Sequence, residues 1–70
     1  MNEPVKKGIY LHFKGEYYEV IGEGFDSETE IPMVIYQHMN SKKIWIRPKF
    51  MFLDTVDYNG KKQIRFKFIR

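Results

Sequence analysis

The chain has 70 residues, a mass of 8.5 kDa and no cysteine, which excludes disulfides, thiolate metal sites and cysteine nucleophiles. Aromatic residues make up 17% of it, which favours a packed core over disorder. The net charge of +3 is uneven: residues 1–35 carry three lysines against seven acidic residues (−4), and residues 36–70 carry nine basic residues against two acidic ones (+7). The basic half can attract nucleic acid or an acidic partner, or it can pair with the acidic half on folding.

The N-terminus and the length of the apolar runs predict the cellular location of the protein. The apolar runs are only a few residues long, whereas a membrane-spanning helix needs about 20 apolar residues. The N-terminus lacks the apolar core of a secretion signal, so we expect a cytoplasmic protein without a membrane partner. Residues 1–6 are predicted to be a flexible leader, and residues 7–70 a single domain.

The body of the chain reads as short strands. The chain has no alanine, and β-branched and aromatic residues alternate with polar ones, which favours strands over helices. One 3₁₀ turn is expected after Pro48. In chain order, the predicted strands cover residues 7–13, 16–23, 33–39, 44–47, 53–58 and 61–69.

The first turn sets the first hairpin. If Lys14-Gly15 is a two-residue turn, Leu11 pairs with Tyr18 and Ile9 with Val20. The core face of the first strand then carries Ile9, Leu11 and Phe13. The opposite, non-core face of this hairpin carries Tyr10, His12 and Tyr17.

Two later turns set the remaining faces. Asn59-Gly60 is a strong hairpin signal that pairs Asp57 with Lys62. A four-residue loop at 40–43 pairs Met39 with Ile44. This places Met33, Ile35, Met39, Ile44 and Ile46 on a core face and Tyr36, His38, Trp45 and Arg47 on the other face.

The pattern of short strands predicts an all-β fold. Closing a small antiparallel sheet on itself removes exposed edges, so we expect an SH3-like barrel of five to six short strands.

A family resemblance is carried by six segments, residues 8–15, 17–22, 27–29, 34–36, 45–48 and 51–52. The chain resembles the bacterial "domain of unknown function 1653" family over about residues 8 to 68. The resemblance implies a small SH3-like β-barrel in a bacterial cytosol, and it implies no known activity.

Catalysis and metal binding find little support in the sequence. Ser27 and Ser41 lack a nucleophile signature, and two histidines in a short chain do not make a triad. His12 and His38 lie on different strands without a third ligand at metal spacing. We therefore predict a protein that is not an enzyme and has no catalytic residues, metal or cofactor.

The favoured function is binding of a peptide or another protein. Exposed aromatic side chains beside an arginine make a surface that can grip an extended peptide. The competing interpretation is that Tyr36 and Trp45 only pack the end of the barrel. The predicted site consists of Tyr10, His12, Tyr36, Trp45 and Arg47, with Glu28 and Thr29 from a neighbouring loop.

The alternative function is nucleic-acid binding by the basic half. Its phosphate contacts would be independent of base sequence and sensitive to salt. A solvated strand face is the other interpretation of these charges. The candidate cations are Lys42, Lys43, Lys61, Lys62, Arg65 and Lys67, and the chain is expected to be a monomer or a weak homodimer.

Overall fold

A computed structural model describes residues 4–70. It confirms the predicted all-β, antiparallel class, but the turn expected as 3₁₀ after Pro48 is a four-residue α-helix within the described range. The elements are β1 (Gly8–His12), β2 (Tyr17–Phe25), β3 (Pro32–His38), β4 (Ile44–Pro48), α1 (Lys49–Phe52), β5 (Thr55–Tyr58), β6 (Lys61–Ile64) and β7 (Phe66–Phe68).

The strands form an open sheet and a separate hairpin. The sheet has the order β4-β3-β2-β1-β7, and β5 pairs only with β6 among the described strands. The sheet is therefore not a closed barrel within residues 4–70, because β4 and β7 remain edges, and the predicted SH3-like barrel is not confirmed. A bend at Arg65 divides the predicted last strand, and its second part, β7, pairs with β1 instead of β5.

The turn between β1 and β2 differs from its prediction. The His12 N–H donates to the Glu16 carbonyl at 2.8 Å, which closes a three-residue loop over 13–15. Gly15 lies at φ +101°, a conformation that glycine adopts without steric cost. The register moves by one residue, so Tyr10 pairs with Tyr18. A one-residue shift moves every side chain to the opposite face of a strand.

The other hairpins agree better with the sequence. Gln37 lies opposite Ile44, two residues from the predicted register, and this even shift leaves the predicted division of faces intact. The predicted pairing of Asp57 with Lys62 is confirmed. Its turn residues Asn59 and Gly60 have φ values of +52° and +75°, as such a tight turn requires.

The two faces of the five-stranded sheet differ in how far their side chains are buried. The inner face carries Tyr10, Tyr18, Val20, Val34, Tyr36, Trp45 and Arg47, and the outer face carries Ile9, Leu11, Ile35, Ile44 and Ile46. The predicted core face is therefore wrong, because Ile44 and Ile46 are 56% and 63% exposed.

The core lies between the inner face and the short helix. Phe52 of α1 stacks on Phe66 of β7 with ring centroids 4.2 Å apart and planes 9° apart. Tyr10 and Tyr36 each meet Phe52 edge-on at 5.4 Å. The buried hydrophobic residues are Val5, Tyr10, Val20, Val34, Tyr36, Phe52 and Phe66.

Part of the predicted leader contacts this core. Residues 1–3 of that leader lie outside the described range. Val5 is only 8% exposed, and the Tyr10 hydroxyl donates to the Lys6 carbonyl at 2.7 Å. No helix within residues 4–70 is long and apolar enough to span a membrane.

Candidate functional site

The candidate site lies where β4 borders the inner face. Trp45 pairs with Tyr36 across the sheet and is 46% exposed, whereas Tyr36 is 4% exposed. The Arg47 Nε donates to the Tyr36 hydroxyl at 3.2 Å, which holds the guanidinium on the inner face, two residues beyond Trp45 along β4. The Lys43 Nζ lies 5.9 Å from the centroid of the Trp45 ring. Two cations thus flank one exposed aromatic side chain.

Tyr10 does not belong to this exposed surface. It is 6% exposed and meets the rings of Phe52 and Phe68 edge-on at 5.4 and 5.3 Å. Burial raises the pKa of its hydroxyl, and the Glu23 carboxylate raises it further. The predicted non-core face of Tyr10 and Tyr17 is wrong, since the register buries Tyr10 and places Tyr17 on the outer face.

Tyr18 lies at the candidate site, although its predicted pairing with Leu11 places it on the predicted core face. Its ring meets Tyr36 at 5.4 Å and His38 at 5.1 Å, both edge-on. The Tyr18 ring therefore connects the buried Tyr36 with His38 at the end of β3. A glycine at the third position of a three-residue loop, as at Gly15, was the signal that could have predicted this register.

His12 lies under the influence of several cations. Burial lowers its pKa first, and the charges of Arg47, Arg65 and Lys14 lower it further. The Nε atom of Arg65 is buried without a hydrogen-bond partner among the described residues. The Glu16 carboxylate acts in the opposite direction, and the net result of burial and these charges is a lowered pKa for His12.

His38 is held in place at the end of β3. Its Nε2 lies 2.7 Å from Oε1 of Glu16, and its Nδ1 accepts the Ser41 N–H at 2.9 Å. Since Nδ1 is an acceptor, the proton resides on Nε2 and points to the carboxylate. Both ring nitrogens are thus occupied. An open cleft of about 170 Å³ at this point is lined by Gly15, Glu16, Tyr17, His38, Met39 and Asn40.

Glu28 and Thr29 lie away from Trp45. Their backbone N–H groups donate to Oδ1 of Asp26 at 2.8 and 3.0 Å, and these bonds, with that of Thr29 first, lower the pKa of Asp26. The loop joins β2 to β3, and Pro32 at its end is four residues from Tyr36. At ~3.3 Å per residue that separation is about 13 Å. The structure does not bring this loop together with Trp45.

The cations proposed for nucleic acid occupy several elements. Lys61 and Lys62 lie on β6, and Lys42 and Lys43 follow β3 in a loop. The charge of Arg65 lowers the pKa of His12 on the inner face, whereas Lys67 pairs with Leu11 on the outer face. The described chain therefore divides these charges between both sides of the sheet.

A second open cleft separates β1 from the β5–β6 hairpin. It has a volume of about 330 Å³, and its lining combines apolar side chains with few polar groups. Within residues 4–70, no three histidine, cysteine or acidic side chains come together as metal ligands. The cleft is lined by Leu11, His12, Phe13, Gly15, Gln63, Ile64 and Lys67.

Comparisons with known proteins support the fold and the family. The structure resembles a crystal structure of a DUF1653 protein from Bordetella bronchiseptica, with a TM-score of 0.84 and 26% sequence identity. The match covers 93% of this chain and 87% of the other. The comparison with curated proteins returned no match. The model of the family described as "Protein of unknown function (DUF1653)" matches residues 8–68, and the chain belongs to this family.

Proposed function

We propose that this chain is a non-enzymatic binding module for a peptide or protein segment, which it takes at the rim formed by Trp45, Lys43 and Arg47. The supporting observation is Trp45, a large aromatic side chain left 46% exposed between two cations. Tryptophan and arginine are the residues most enriched where binding energy concentrates in protein interfaces. Arg47 is pre-positioned by Tyr36, so ordering it on binding costs little entropy.

Nucleic-acid binding receives less support from the arrangement of charges. A nucleic-acid groove needs cations that follow one backbone, with aromatic rings for the bases. Here Arg65 and Lys67 act on opposite sides of the sheet. We retain it as an outcome of the test.

The test is selection from a library of random peptides on the purified chain, followed by titration of Trp45 fluorescence. Trp45 is the single tryptophan of the chain, so its emission reports binding at this rim. We expect selected peptides to change that emission and to lose at least about tenfold in affinity for Trp45→Ala, as truncating an interface anchor does.

Tyr17→Ala is the matched control, since Tyr17 is 47% exposed but lies on the outer face. Trp45→Ala is checked for folding by circular dichroism. No enrichment of peptides, or equal losses for both variants, would overturn the proposal. Salt-sensitive binding of single-stranded DNA with the same Trp45 dependence would assign the rim to nucleic acid instead.

A further inference from the structure

At two residues of β4, the backbone N–H and C=O groups point away from the rest of the sheet. β4 is an edge of the five-stranded sheet. The His38 N–H donates to the Lys43 carbonyl at 2.9 Å, so this pair is hydrogen-bonded across the two strands. Because antiparallel pairs alternate, Trp45 and Arg47 bond to β3, whereas the N–H and C=O groups of Ile44 and Ile46 point outward. Such a row is a template for another strand.

The side chains of this edge are apolar and exposed. Ile44 and Ile46 are 56% and 63% exposed on the outer face, and Trp45 is 46% exposed on the inner face. An added strand alternates its side chains between the same two faces. Apolar residues placed opposite Ile44 and Ile46 would cover both isoleucines.

The charges of the same edge specify the partner further. Lys43 and Arg47 lie on the inner side, two residues before and two residues after Trp45. The ion pairs described among residues 4–70 are Glu16 with His38 and Glu23 with Lys49, so neither cation of this edge takes an acidic side chain there. In an antiparallel added strand, the residues opposite the two cations are four positions apart. Opposite charges placed directly across a strand pair stabilise the pairing.

We propose that β4 receives an extended acidic segment of a partner protein as an added antiparallel strand, with acidic residues opposite Lys43 and Arg47 and apolar residues opposite Ile44 and Ile46. The proposal rests on the peptide-binding function above and specifies its chemistry. The segment follows the pattern acidic, apolar, aromatic, apolar, acidic. Its backbone provides affinity and its alternating side chains provide specificity.

A second copy of the chain fits this edge less well. Its β4 brings the same two cations, so pairing of the two edges adds positive charge to positive charge. Charge complementarity thus favours an acidic partner over self-association.

The test uses a synthetic peptide, acetyl-Ser-Glu-Val-Phe-Val-Glu-Ser-amide, titrated against the full chain and followed by Trp45 emission. In the proposed register, the N–H groups of both valines face β4 and that of the phenylalanine faces away. N-methylation of the two valines is expected to weaken binding at least about tenfold, since two hydrogen bonds are lost. N-methylation of the phenylalanine is the matched control and is expected to change affinity less than about threefold, because no ladder bond is lost.

Charge reversal tests the chemistry of the partner. Lys43→Glu is expected to lower the affinity for the glutamate peptide and to raise the affinity for a peptide with lysines in place of the glutamates. The ratio of the two affinities is expected to change by about tenfold. Lys62→Glu is the control, because Lys62 is exposed on β6 away from this edge. Equal behaviour of both variants would remove the acidic specificity from the proposal.

The outcomes separate this inference from the function on which it rests. Equal binding of the two N-methylated peptides overturns the added strand, while Trp45-dependent peptides from the library would still support a binding module. Failure of every peptide, selected or designed, overturns both. Self-association that Ile46→Lys abolishes in sedimentation experiments would assign the edge to a second copy and overturn the acidic partner.

Discussion

Both faces of the five-stranded sheet carry large apolar side chains, yet the rest of the chain covers the inner face far more than the outer face. The inner face holds Tyr10 and Tyr36 at 6% and 4% exposure beneath α1. The outer face leaves Ile44 and Ile46 more than half exposed. Hydropathy alone would reverse this result, because isoleucine is more often fully buried than tyrosine. Coverage by the rest of the chain, rather than hydropathy, decides which face becomes the core.

Polar tips explain how tyrosines fill this core. The Tyr10 hydroxyl donates to the Lys6 carbonyl, and the Tyr36 hydroxyl accepts from Arg47. A buried hydroxyl with a partner avoids the cost of desolvation. An aromatic core of this kind supplies large apolar area from few residues, which a 70-residue chain needs.

The largest expected effect tests the contrast directly. Phe52→Ala removes the ring stacked on Phe66 and is expected to lower the free energy of unfolding by about 3–5 kcal/mol. Ile46→Ala on the outer face is expected to lower it by less than about 1 kcal/mol. Urea unfolding followed by circular dichroism measures both. Phe52→Leu provides a milder variant if Phe52→Ala does not fold. Similar losses for Phe52→Leu and Ile46→Ala would show that both faces are covered.

A smaller effect tests the turn that assigns the faces. Gly15→Ala forces a side chain into φ +101° and is expected to cost about 1–2 kcal/mol of unfolding free energy. Gly22→Ala is the control, because a Cβ there meets nothing within 4 Å and the backbone is not in the positive-φ region. Thermal unfolding of the two variants provides the comparison. A Gly15→Ala protein as stable as the parent would argue against the three-residue loop.

The smallest expected effect concerns pH and the inner face. The pKa of His12 is lowered by burial and by nearby arginines, whereas an unfolded histidine titrates near ~6.5. Below that pH the unfolded chain binds more protons than the folded chain. The contribution of His12 to the unfolding free energy is therefore complete above pH ~6.5 and is lost as pH falls through the lowered folded pKa.

NMR titration of the two histidine rings measures this contribution at its source. We expect the His12 resonance to have a midpoint below ~6.5, and His12→Gln to flatten the decline of unfolding free energy in mildly acidic solution. A His12 midpoint at or above ~6.5 would contradict the burial of this ring beside Arg47 and Arg65.

Local chemistry allowed much of the site to be predicted. Tyr36, His38, Trp45 and Arg47 share a face because alternate residues of paired strands do so in any even register. Whether Trp45 was exposed or packed could not be predicted, since that depends on where α1 and β7 lie. The exposure of Ile44 and Ile46 could not be predicted for the same reason. The sequence pattern of an edge strand is the same as that of a core strand, and only the neighbouring strands distinguish the two.

By itself, the sequence determined the all-β class, the approximate strands and the Asn59-Gly60 hairpin, because these depend on residues close together in the chain. The three-residue loop ending at Gly15 shifted the first hairpin by one residue and so exchanged its faces. That exchange is local to the turn at Gly15, whereas only the tertiary structure decided the bend at Arg65 and the open edge at β4. Each depends on contacts between segments far apart in the chain, where one residue of register or one covering helix reverses the environment of a whole strand face.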